Sequence, residues 1–211
     1  MQSTLEIGLT LVVLILSIIA HEVAHGYAAN MLGDPTARLA GRLTLNPLPH
    51  IDLVGSILIP GLLVLSHSPI LFGWAKPVPY NPYNLKNKRW GEAIVAVAGS
   101  ATNLLLAVIF ALIIRLGAGS LSVPTLSFLA TICFVNLFLG LFNLIPFPPL
   151  DGFTFLRGAL PFHLSRGLHH FEDQMRSYGP AALIIFLVIF SYILAGPFYV
   201  LVSWIFGLLV G

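Results

Sequence analysis

The chain has 211 residues, 57% of them apolar and only 9% charged, with a formal net charge of +2. A soluble domain carries about 25% charged residues, so this chain cannot cover its surface with polar groups and lipid must be the solvent for much of it. The small net charge leaves no electrostatic footprint for nucleic acid, and the single cysteine, Cys133, excludes a disulfide framework and a thiolate-rich metal site.

The first apolar run, about 5–32, lacks the basic start and small-residue cleavage site of a signal peptide, so a retained helix is expected. The next run, 51–66, is interrupted by Gly55, Pro60 and Gly61 and suits a re-entrant piece or a short span. In "GWAKPVPYNPYNLKNKR" the alternation of Trp74, Lys76, Val78 and Tyr80 predicts a short β segment near 72–80. Runs 91–115 and 125–147 are long enough to cross a bilayer core, which takes about 20 helical residues. Cys133 lies inside the second of them and reads as a small buried hydrophobe. Leu164, Leu168, Phe171 and Met175 then recur at helical spacing with charges and His169 opposite, the pattern of an interfacial helix. Runs 178–196 and 197–210, the latter opening at Pro197, complete the chain as one or two C-terminal helices. The expected fold is an all-α polytopic membrane protein: three transmembrane helices, a re-entrant segment, a short β segment and the C-terminal helices, in one domain spanning 1–211.

Chemistry enters at "HEVAH" in the first run. Positions i and i+4 share a helix face, so His21 and His25 project side by side, as two imidazoles binding one zinc ion must. Glu22 follows the first histidine, where a carboxylate can take a proton from water activated by the metal. Three ionisable groups within one turn of a membrane helix are costly and ordinarily mark a functional site. A catalytic zinc wants a third protein ligand. Glu6, Asp34, Asp52, Glu92, Glu172 and Asp173 flank the runs, whereas Asp151 follows Pro146, Pro148 and Pro149, which break a long apolar helix. Irregular backbone at membrane depth is tolerated where it lines a cavity. Asp151 is therefore the leading candidate, with an ordinary Asp-Gly turn as its alternative.

"HEVAH", "FGWAKPVPYN", "VAVAGSATNLLLA" and "NLFLGLFNLIPFPPLDG" together resemble the short prokaryotic members of the site-2 protease family, over roughly residues 15–157. The resemblance implies an intramembrane zinc metalloprotease without a PDZ or other soluble domain, holding one zinc per chain. It implies His21, His25 and Asp151 as ligands, Glu22 as general base, and Asn143 as a residue near the active site that holds substrate or stabilises the oxyanion. The expected partners are a transmembrane protein substrate and the lipid bilayer. The chain departs from the family's usual "AGP" at Ala98, Gly99 and Ser100, a change expected to alter a kink or close packing while touching no ligand. Asn103, in the same helix, reads at least as well as an interhelical hydrogen bond as it does as a catalytic part. His50, beside Asp52, is a candidate second-shell group, while His67, His163, His169 and His170 suit solvated or capping positions.

Taking residue 5 as the start, His21 lies about 24 Å along its helix, and Asp151 follows the C-terminal end of run 125–147. Those two helices must then be parallel, which requires 51–66 to re-enter and not to cross. That arrangement puts Arg38, Arg42, Lys76, Lys86, Lys88, Arg89, Arg157, Arg166 and Arg176 on the zinc side and only Arg115 on the other. The positive-inside rule then turns the zinc side to the cytoplasm of a prokaryotic plasma membrane. The "GWAKPVPYN" segment offers either a strand edge to an extended substrate or a plain surface turn. A metal-handling or transport protein could use the same histidines; it would bind zinc with no need of Glu22, and the chain lacks the paired half-repeats of transporters.

Overall fold

The computed structural model describes residues 4–58, 61–62, 65, 75–87 and 89–211. Among the described residues, four helical stretches are long and apolar enough to cross a membrane: Glu6–Met31, Gly91–Gly117, Val123–Asn143 and Ala181–Val210. The all-α polytopic architecture expected from the apolar runs is the one observed.

Helix α1 (Thr4–Met31) leads through the single turn of α2 (Thr36–Leu39) and an irregular connection to α3 (Gly91–Gly117), which is followed by α4 (Val123–Asn143). Pro in its first turn and the Ser122 side chain, which accepts from the Thr125 amide, start α4. It ends at Asn143 because Pro146, Pro148 and Pro149 cannot donate to a continuing helix. Two short helices follow, α5 (Asp151–Ala159) and α6 (Phe162–Ser177).

The C-terminal runs join into one helical span. Helix α7 (Pro180–Ile189) passes through a π turn (Phe190–Leu194) into α8 (Ala195–Val210). The wide turn stands just ahead of Pro197, whose missing N–H and ring would otherwise disrupt the ladder at Ile193. At the far end Arg115 of α3 donates to the Leu208 carbonyl at 2.7 Å and ties down the last turn of α8.

Helix α3 is the centre of the bundle, packed against α1, α4, α5 and α8. Small residues permit close approach where helices meet in lipid. Ala107 and Ala111 of α3 pack on Cys133 and Leu137 of α4 and Val202 of α8, all buried. Cys133 is the buried hydrophobe expected, its thiol donating to the Ala107 carbonyl. Val95, Asn103 and Ala107 of α3 contact, in reverse order, His25 and Ser17 of α1 and Asn136 and Cys133 of α4. Thus α1 and α4 both run antiparallel to α3 and parallel to each other.

Residues 75–80 form no strand, contrary to the expected β segment; Trp74 and the start of that segment lie outside the described residues. The reason is where the backbone groups go. The Lys76 N–H donates to the His50 carbonyl at 2.9 Å, and Arg42 donates to the Lys76 and Pro77 carbonyls. Pro77 and Pro79 have no N–H, so little is left for a sheet ladder. The His50–Lys76 bond also pins together the two ends of the connection through 51–66. Within it Leu53–Leu58 forms a π turn, and much of the rest lies outside the described residues.

Helix α6 has one apolar stripe as expected, but its inward side is also charged: Glu172 is buried and pairs with Arg157 of α5 and Arg176 of α6. Leu164, assigned to the apolar face, is exposed.

Asp34 closes the corner after α1. Fully buried, it accepts from the Thr36 hydroxyl (2.5 Å) and amide (3.2 Å), the Asn81 amide (2.6 Å) and the Asn84 side chain (2.8 Å). Burial pushes its carboxyl up, but the hydrogen bonds from Thr36, Asn84 and Asn81 outweigh this and hold it below the usual range. Asp34→Ala is expected to cost about 3 kcal/mol by orphaning buried donors, read as a fall in unfolding temperature in detergent. Because the folded value is the lower one, the stabilisation is present above the ordinary Asp value and is lost as pH falls through the folded value. The acid limb of the unfolding curve should therefore flatten in the variant.

Candidate metal centre

His21 and His25 lie one turn apart on α1 with their rings edge to face, centroids 4.6 Å apart. Each is aimed by its Nδ1. That of His25 is 2.7 Å from the Val95 carbonyl, so it must carry the proton. That of His21 is 2.7 Å from Asn103 Oδ1. The Asn103 amide is itself oriented, since its Nδ2 donates to the Ser17 carbonyl (3.2 Å) and to Asn136 Oδ1 (2.9 Å). Asn136 in turn donates to the Ser17 hydroxyl and the Ile132 carbonyl, both at 2.9 Å. With Nδ1 of each ring so engaged, it is the two Nε2 atoms, 3.0 Å apart, that face each other.

Asp151 closes the cluster. Its Oδ2 is 3.1 Å from His21 Nε2 and its Oδ1 3.4 Å from His25 Nε2. Nitrogen atoms of two imidazoles and the oxygens of a carboxylate converge at one point, as the ligands of a metal ion do. Bonds of about 2.0–2.1 Å in a tetrahedral site put ligand atoms about 3.3 Å apart, and the observed separations match. Among the described residues, this is the group of histidine and acidic side chains whose donor atoms gather within 4.8 Å. Four other carboxylates near the spans are spent elsewhere: Asp34 on its corner, Asp52 on the Gly55 amide, Glu92 and Glu172 on Arg157.

Two glycines make room. A Cβ on Gly99 of α3 would lie 2.5 Å from His25 Nε2 and 2.7 Å from His21 Nε2, inside the donor cluster. A Cβ on Gly152 would meet the Leu144 carbonyl at 2.1 Å, so only glycine after Asp151 lets the chain turn this tightly out of α4. The Phe147 ring stacks on Phe186 of α7, centroids 4.3 Å apart, and holds the intervening proline loop.

Glu22 faces a cavity of about 530 Å³, which His25, Val78, Pro148, Asp151 and Leu183 also line. Its Oε2 accepts from the Val78 N–H at 2.8 Å. Of the two readings of this segment, a strand edge or a plain surface turn, the first would have to do without the Val78 amide, which is engaged from within. Asn143 does not line the cavity; its amide donates one turn back to the Leu139 carbonyl at 3.0 Å. His50 is buried with Nε2 on the Thr44 carbonyl at 2.9 Å. His67 lies outside the described residues.

The Ala98–Gly99–Ser100 departure, expected to touch no ligand, does reach a candidate one: the Ser100 hydroxyl donates to Asp151 Oδ2 at 3.1 Å. Asn103 makes the interhelical hydrogen bonds expected of it, and one of their partners is His21. The available signal was in α3: Gly99, Ser100 and Asn103 fall on one side of an otherwise apolar helix.

Apolar spanning helices around two histidines and a carboxylate form the framework of a membrane-embedded metal site. The family model described as "Peptidase family M50" matches residues 118–188, which include Asp151. The Bacillus subtilis (strain 168) protein named "Putative zinc metalloprotease YwhC" is 40% identical over 186 residues, covering 85% of this chain and 78% of that protein. Relatives of the same class of name, both Rip2, are 29% identical: that of Mycolicibacterium smegmatis over 91% of this chain and 70% of its own length, that of Mycobacterium tuberculosis (strain H37Rv) over 92% and 71%. No solved structure matches. The chain belongs to peptidase family M50, the zinc-dependent site-2 protease family, and is a multi-pass membrane metalloprotease.

Gly99→Ala should displace both imidazoles while leaving the helices intact. Metal content after dialysis against a chelator is expected to fall by at least about tenfold, with unchanged far-UV circular dichroism.

Proposed function

We propose that this protease cleaves peptide bonds within or next to transmembrane segments of other membrane proteins, with His21, His25 and Asp151 holding one zinc ion and Glu22 as general base. The observation that carries the reading is the depth of the site. His21 and His25 lie inside the spanning part of α1, and Glu22 faces the same cavity as His25 and Asp151.

Three protein ligands are the number a catalytic zinc uses. A bound zinc ion supplies Lewis acidity, acidifying a water and polarising a peptide carbonyl. Glu22 is held through Oε2 by Val78, which leaves Oε1 to take the proton of the attacking water and pass it to the leaving amine. A substrate helix hides its carbonyls in its own hydrogen bonds, so the peptide must be extended at the cut. A role for Asn143 on the substrate carbonyl requires its amide to turn from Leu139 towards the cavity.

The zinc side faces the cytoplasm of a prokaryotic plasma membrane in this reading, and residues 1–211 act as one domain. The C-terminal ends of α1 and α4 and the start of α3 share that side with Arg38, Arg42, Lys76, Lys86, Arg89, Arg157, Arg166 and Arg176. Arg115 stands at the other end of α3. Cytoplasmic excess of Lys and Arg is the usual bias.

Glu22→Gln should retain about one zinc per chain and lose cleavage of a model transmembrane substrate by about 10²–10⁴-fold. Cleavage at the wild-type rate would refute the general-base assignment. For topology, a cysteine at Ala40 should react with impermeant reagent only from the cytoplasmic face and one at Gly119 only from outside; the reverse pattern would invert the orientation.

A further inference from the structure

Ser100 is fully buried in α3. A hydroxyl on a helix ordinarily turns back to a carbonyl of its own helix, as Thr102 does to Ala98 at 2.9 Å. That of Ser100 reaches across to Asp151 Oδ2 at 3.1 Å. The acceptor is an ionised carboxylate in a site walled by apolar helices, where a charge-assisted bond is strong. The carboxyl torsion of an aspartate is soft, and Asp151 enters from an irregular proline loop, so it needs an anchor more than the histidines do. Each of the other candidate ligands already has one on α3: the Val95 carbonyl for His25 and the Asn103 side chain for His21. Val95, Gly99 and Asn103 recur every four residues along α3, with Ser100 beside them, so a helix that contributes no ligand contacts all three.

We propose that Ser100 is a positioning residue for the metal centre, holding the Asp151 carboxylate in place by its hydroxyl hydrogen bond, as Val95 and Asn103 hold the two imidazoles. The proposal rests on reading Asp151 as a zinc ligand. Ser100 fixes the carboxylate plane against the histidine pair before metal arrives, so less ordering remains to be done on binding.

The test is the zinc affinity of the purified full chain in detergent, by competition with a chromophoric chelator. Wild type is compared with Ser100→Ala, Ser100→Thr, Asp151→Ala and the double variant Ser100→Ala/Asp151→Ala. Ser100→Ala is expected to weaken zinc by about 10–100-fold, the range typical of groups that orient metal ligands. Ser100→Thr, which keeps the hydroxyl, should recover most of the loss. In the Asp151→Ala background the serine substitution should cost nothing further, because its only route to the metal is gone. Unchanged affinity in Ser100→Ala beside a weakened Asp151→Ala overturns the proposal and leaves the ligand assignment standing. An equal loss in both backgrounds overturns it in favour of general packing. Wild-type affinity in Asp151→Ala overturns the ligand assignment itself, and the role of Ser100 with it.

Discussion

The hydrogen bond from His21 Nδ1 to Asn103 Oδ1 is the interaction on which the rest of the centre depends. Inside a bundle in lipid there is no water to satisfy a stray polar group, so an imidazole at this depth must find a protein partner. Asn103 supplies it, and Ser17 and Asn136 satisfy Asn103 in turn. The result is a closed polar layer through α1, α3 and α4. It fixes the relative depth of three helices, since sliding any of them by one turn would orphan several buried groups. It also fixes the ring: with Nδ1 on Asn103, Nε2 faces that of His25.

From that register the geometry of the donors follows. Gly99, one turn before Asn103, leaves the space that both imidazole edges occupy. The third donor arrives differently, by a helix that stops. Prolines end α4 near the depth of the histidines, Gly152 lets the chain turn against the Leu144 carbonyl, and α5 starts with Asp151. Arg157 holds that short helix by pairing with Glu92 of α3 and Glu172 of α6. Its pairs cross three helices in a partly buried place, where breaking one would leave an uncompensated charge.

The segment 75–80 is a second consequence of polar groups needing partners. Two of its residues are prolines, the Lys76 and Val78 N–H groups go to His50 and Glu22, and the Lys76 and Pro77 carbonyls go to Arg42. A stretch that looks like an exposed strand is thereby a strap drawn in over α1, with Val78 buried and its amide on the carboxylate that faces the cavity. The strap orients Glu22 and walls the cavity at once.

The sequence by itself determined the spanning helices, the helical pairing of His21 with His25, the break before Asp151 and the membership of the family. Each rests on local information: hydrophobic run length, the four-residue repeat of a helix, and the missing N–H of proline. Only the tertiary structure decided that Ser100 touches Asp151, that Asn103 orients His21, that Val78 is engaged by Glu22, and that the two C-terminal runs are one helix. Those features depend on which residues of different helices reach the same depth. Helix register is set by the collective matching of buried donors and acceptors, and no single stretch of chain encodes it. Serine after Gly99 reads locally as a packing change; beside Asp151 it is a hydrogen-bond donor.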